Sequence, residues 1–217
     1  MLTVARCTYG ESESQYIERP GLPRGTRTRF CERTRSDPEN PRDLNVTANP
    51  AWERELLLGR LSGQRGHILT AIEGLNEEQL RSPVLPSGWS CLGLLRHLTL
   101  SDERYWFDTV MGGTPLDYWP AGDGPGDGVA DWRVLADEHA AQILEEYRRA
   151  IDRSDEVIGV LELNAPPKLP EAWWDEAGLR FPDLRSVIVH VMVETATHAG
   201  HLDAVRELLD GRQHLVL

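Results

Sequence analysis

The chain has 217 residues, with 35 acidic against 23 basic side chains and a formal net charge of −12. That balance argues against a polyanionic partner such as nucleic acid, and no apolar run approaches the roughly 20 residues of a membrane span. The length suffices for one domain with a real core, and the three cysteines (Cys7, Cys31, Cys91) form neither a CxxC nor an even disulfide framework. With no apolar signal-like run at the amino terminus, a reducing cytoplasm is the expected home.

Residues 1–48 read unlike the rest. They mix Arg, Glu, Ser, Thr, Pro and Gly without a period, and Pro20, Pro23, Pro38 and Pro41 interrupt any element. Such a segment buries too little apolar surface to offset the entropy of ordering its backbone, so disorder is expected. Its eight arginines are balanced by seven acids, which favours upstream translated sequence over a basic regulatory arm. No repeat and no strand is read anywhere in the chain. The globular part is expected to be one domain over 49–217.

Asn49-Pro50 opens a first helix running to about Leu75, with a cap residue followed by proline at the first helical position. Leu57, Leu61, Ile68, Ile72 and Leu75 share one face, while Gly59, Gly63 and Gly66 suggest a kink or a close approach. A turn-rich linker follows. Ser87 or Ser90 then caps a second helix extending to Met111. Leu94, Leu98, Ser101 and Tyr105 align on it and His97 flanks them, which by itself reads as a hydrogen-bonded core or rim histidine.

Residues 112–130, rich in glycine and proline, are too long for a tight turn and suggest a crossover along a bundle or a flap over a site. Asp117, Asp123 and Asp127 lack calcium-loop spacing. A third helix is predicted over Trp132–Leu161, with Trp132, Ala136, Ala140, Ile143, Tyr147 and Ile151 at helical spacing; the side to which His139 turns is left open. In the 162–180 loop, the Trp173-Trp174 pair reads as a cover packed on the bundle rather than a pocket wall. The fold class is therefore all-α: a four-helix bundle with a long crossover between helices two and three.

The most informative stretch is the fourth helix, capped by Asp183 and ended by Gly211. Leu184, Val187, Val191, Thr195, Leu202, Val205 and Leu209 project within a sector roughly 80° wide. Glu194 and His198 fall in or at the edge of that sector, one turn apart. Burying an ionisable pair in an apolar stripe is costly unless something compensates it. A bound metal ion would do so, and so would hydrogen bonds between the pair and polar groups of neighbouring helices. His190 and His201 project to the margin, where they would support the site or face its mouth.

Two strings, SGWSCLGLLRHLTLSDERYWF on helix two and LRSVIVHVMVETATHAGHLDAVRELLDG on helix four, resemble the DinB-like superfamily of four-helix metalloproteins over about residues 50–211. The similarity is to its actinobacterial branch, which includes mycothiol-dependent S-transferases and the N-terminal domain of mycothiol-dependent maleylpyruvate isomerase. The resemblance implies one divalent metal held by His97, Glu194 and His198, with zinc first among candidates and nickel, manganese or iron as alternatives. It implies a small-molecule thiol cosubstrate, mycothiol or another low-molecular-weight thiol, attacking an electrophilic substrate. His201 would act as a catalytic proton relay at the metal, and His190 and Asp203 would support the ligands. Homodimers are common among such bundles, and a homodimer is among the expected partners. A metal hydrolase and a non-catalytic, stress-related metal-binding bundle are the competing readings. The isomerase's second domain has no counterpart here, which puts isomerase activity in doubt.

Overall fold

The computed structural model describes residues 4–8, 13–17, 50–117 and 130–214, and the chain divides into two compact units, Met1–Ala48 and Asn49–Leu217. In the first unit, β1 (Val4–Thr8) pairs antiparallel with β2 (Glu13–Ile17), Val4 opposite Ile17 and Thr8 opposite Glu13. This corrects the reading of the segment as free of strands. Val4, Thr8, Tyr16 and Ile17 are β-formers, and a hairpin needs only local pairing. The disorder expected over 18–48 lies outside the described residues.

The second unit is an all-α bundle. Its long helices are α1 (Pro50–Ile72), α3 (Cys91–His97) with a π-helical continuation (Leu98–Met111), α4 (Ala140–Val160) and α6 (Leu184–Asp210). Short helices α2 (Glu77–Arg81) and α5 (Trp173–Glu176) lie in the connections. α1 packs along α6, and the π-helical segment lies against both α4 and α6. Among the described residues no helix is long and apolar enough to cross a membrane.

Caps set the helix ends as the sequence suggests. Ser90 Oγ accepts from Gly93 N–H at 3.1 Å, and Asp183 Oδ1 accepts from Ser186 N–H at 2.9 Å. Gly211 closes α6 in the left-handed region, with φ 76°. α1 is unbroken, and a Cβ at Gly59, Gly63 or Gly66 would meet nothing within 4 Å, so neither a kink nor a close approach explains these glycines.

The third long helix begins at Ala140, not Trp132. Ala130–Trp132 instead form a separate 3-10 turn. Between them, Glu138 accepts from Leu135 N–H at 2.7 Å and grips the Arg96 guanidinium of α3 at 2.6 Å, which draws the segment into a turn. Helical spacing from Trp132 onward is thus overridden by tertiary partners, and Ala136 and His139 are exposed. Residues 118–129 of the crossover lie outside the described residues. In the 162–180 loop, Trp174 is buried and stacks on Trp106 at 5.6 Å, as a cover should, whereas Trp173 is 42% exposed and does not share that role.

The core falls into two apolar clusters. One gathers Leu61, Trp106, Phe107, Ile158, Val187 and Val191; the other Ile68, Leu94, Leu98, Tyr147, Ala199 and Leu202. Between them every long helix contributes buried polar groups: Arg65 from α1, Asp102 and Glu103 from the π-helical segment, Ser154 from α4, and Thr195 and His198 from α6. Charge at this depth persists only when paired. Arg65 accordingly makes a two-pronged bond to Glu103 (2.7 and 2.5 Å) and a third bond to Asp155 at 2.7 Å. This polar layer crosses the bundle where the candidate site lies.

Candidate functional site

His97 ends α3 just where the helix widens. The Nδ1–H of His97 donates to Asp131 Oδ2 at 2.6 Å, and Ser101 Oγ, one turn on, donates to the same oxygen at 2.5 Å. Burial opposes ionisation of Asp131, but these two hydrogen bonds outweigh it and hold the carboxyl below its usual range. Nδ1 of His97 is therefore turned to Asp131 as a donor, and Nε2 is the ring nitrogen left to face another partner.

Trp132 covers this imidazole, with ring centroids 4.3 Å apart and planes 17° apart. The approach depends on Gly93, one turn before His97: a Cβ there would lie 2.7 Å from the Trp132 carbonyl oxygen. A small residue on α3 thus lets the 3-10 turn seat both Asp131 and Trp132 on the histidine.

His198 meets this group from α6. Its ring lies 5.0 Å from that of His97 and 5.7 Å from that of Trp132. Its Nδ1 is buried and has no hydrogen-bond partner among the described residues. Burial, reinforced by His97 and His201, lowers its pKa to about 4, so the imidazole stays neutral and offers a lone pair. Glu194, half-buried one turn earlier, brings a carboxylate to the same region. Asp102 is buried beside it; burial first, then the charges of Glu103, Glu194 and Asp131, push its carboxyl well above the ordinary range. The neutral imidazole of His198, the Asp131-held imidazole of His97 and the carboxyls of Glu194 and Asp102 make a set of donors that suits a cation.

The other expected residues are placed differently. His201 is exposed at the rim, 5.6 Å from His198 and 6.2 Å from Trp89, ring to ring. His190 sits in an aromatic niche of Trp106 and Phe181, at 4.6 and 4.9 Å, where burial lowers its pKa despite the nearby charge of Glu194. Asp203 faces away from His97 and His198, and its Oδ1 accepts from His67 Nε2 at 2.8 Å. Among the described residues, the group of three metal-type donors whose atoms all lie within 4.8 Å is His67, Asp203 and His214; His97, Glu194 and His198 are not drawn that close.

Asp131, Ser101 and Trp132 were not legible in advance. Asp131 follows a glycine-rich crossover with no spacing signal, and Trp132 reads as the first core residue of a helix. Beside them, a cleft of about 540 Å³ opens, with Trp89, Trp132, Ser87 and Ser90 in its lining. Its size is that of a small-molecule site.

No curated protein gave a significant match. A family model for mycothiol-S-transferase matches residues 56–211, from the first turns of α1 through the glycine that ends α6, and so takes in His97, Glu194 and His198 together. The chain belongs to the mycothiol-S-transferase family.

Proposed function

We propose that the protein is a divalent-metal-dependent S-transferase that joins a small thiol, mycothiol within this family, to an electrophile. His97 Nε2, His198 and the Glu194 carboxylate are the ligands, and the unpartnered buried Nδ1 of His198 is the observation that carries the reading. Two imidazoles and one carboxylate suit zinc first, with nickel, manganese or iron(II) as alternatives. When bound, such an ion supplies the Lewis acidity that keeps a thiol ionised at neutral pH.

The remaining groups act through position. Asp131 and Ser101 hold His97 in one tautomer and one orientation. Trp132 shields that imidazole from water and forms a wall of the neighbouring cleft, whose indoles and hydroxyls suit a small polar thiol. His201 stands at the exposed rim, within reach of solvent, as the group that passes protons.

The test is metal content of the purified chain by plasma mass spectrometry, followed by metal-dependent conjugation of mycothiol to a bimane. His198→Ala should lose about one equivalent of metal, and turnover with it, while remaining helical. Asp131→Ala should weaken metal binding by about 10–100-fold. Undiminished metal binding in His198→Ala would sink the ligand assignment. Bound metal without thiol turnover, or with ester or amide hydrolysis instead, would replace the transferase reading.

A further inference from the structure

We propose that His67, Asp203 and His214 form a second divalent-metal site, for a borderline ion such as zinc(II) or nickel(II), that clips the segment after α6 onto α1 and α6. His67 lies on α1 and Asp203 on α6. The Nε2–H of His67 donates to Asp203 Oδ1 at 2.8 Å, which joins the two helices. His214 comes from beyond the end of α6, and its ring stacks on that of His67 with centroids 3.7 Å and planes 21° apart. One donor atom from each of the three residues lies within 4.8 Å of the others. Zinc holds its ligand atoms ~2.0–2.2 Å from itself, hence roughly 3 Å from one another. The His67–Asp203 separation already matches, and His214, which is exposed, brings a nitrogen to the ion by turning about its two side-chain torsions out of the stack on His67.

The path that brings His214 back is built into the fold. Gly211, in the left-handed region, reverses the chain at the end of α6. Arg212 N–H then donates to Asp210 Oδ1 at 3.1 Å, its guanidinium reaches Glu73 O at 3.3 Å, and Gln213 Nε2 donates to Glu207 Oε1 at 2.8 Å. These bonds set His214 over His67. Two imidazoles and one carboxylate are a donor set for borderline transition ions rather than for calcium or magnesium. The ion takes the place of the proton between His67 Nε2 and Asp203, and the imidazole carries that proton on Nδ1 instead. A remaining coordination position is open to water, because Asp203 is 29% and His67 17% exposed. This site shares no residue with the His97, Glu194 and His198 set, and the two succeed or fail independently.

The experiment is equilibrium dialysis of the full chain against zinc(II), with nickel(II) in parallel, counting bound metal. In the His97→Ala/His198→Ala variant about one equivalent should remain. Adding His214→Ala or Asp203→Asn should remove it. Zinc should also slow amide hydrogen exchange over residues 203–214 in the first variant and not in the second. His214 is exposed, so His214→Ala in the otherwise unchanged chain gives an independent count with the bundle intact, and one equivalent should be lost there too. No zinc in the His97→Ala/His198→Ala variant, or the same zinc with and without His214, would overturn the proposal. Loss of metal confined to His198→Ala would support the first site alone.

Discussion

Gly93→Ala tests how α3 and the 3-10 turn are fitted together. In an ordinary helix position this change is favourable by roughly 1 kcal/mol, because alanine loses less backbone freedom on folding. At Gly93 the added methyl would sit 2.7 Å from the Trp132 carbonyl oxygen, where contacts of 3.4 Å and more are ordinary. The neighbour is backbone, held by the His97–Asp131–Ser101 bonds, so it cannot swing aside as a flexible side chain would. Overpacking of this kind costs ~1–3 kcal/mol, so the net effect should run from near zero to about 2 kcal/mol of destabilisation. Gly63→Ala is the matched control, since a Cβ there meets nothing within 4 Å on the exposed side of α1. Urea unfolding of both variants, followed by circular dichroism, should give a difference of ~1–3 kcal/mol between them, with Gly63→Ala the more stable. If Gly93→Ala stabilises as much as Gly63→Ala, the turn does not seat on α3 through this glycine, and the account of how Trp132 reaches His97 is wrong.

Glu103→Leu should cost ~3–5 kcal/mol in the same assay, because it strands the guanidinium of Arg65 in the core; the two side chains are 4% and 1% exposed. Replacing both partners, as Arg65→Met with Glu103→Leu, should recover most of that loss, and equal damage from the single and double changes would argue against a paired buried charge. Metal-free protein should lose stability on acidification through His198. Its folded pKa of about 4 lies below the ordinary 6.5. The unfolded chain therefore takes up a proton below pH 6.5 that the folded chain refuses until about pH 4. The contribution is whole above that window and falls by about 3 kcal/mol across it. His198→Gln should flatten the slope of stability against pH between these limits, and an unchanged slope would mean that His198 is not buried neutral.

Much of this molecule was legible from local pattern, because local pattern reports what one helix does by itself. The apolar sector of the Phe181–Gly211 stretch, its Asp183 cap and its glycine stop specify α6, and helical spacing alone singles out Glu194 and His198 as polar groups on a buried face. The same reasoning separates residues 162–180 from the long helices and assigns the Trp173-Trp174 pair to packing, which Trp174 does and the more exposed Trp173 does not. What periodicity cannot carry is the choice among partners distant in sequence. Trp132 has the spacing of a helix start, yet the bond from Asp131 to His97 and the grip of Glu138 on Arg96 outweigh helix propensity and bend the segment into a turn. Asp203 projects from α6 some 140° away from His198, and only the packing of α1 against α6 turns it toward His67 and away from the supporting role first assigned to it. Arg65 and Glu103 look like ordinary surface charges in sequence; the bundle places both between its two apolar clusters, where they pair with each other and Arg65 also reaches Asp155. Charge pairing and hydrogen bonding gain their strength from burial, and burial on this scale exists only once the helices have come together.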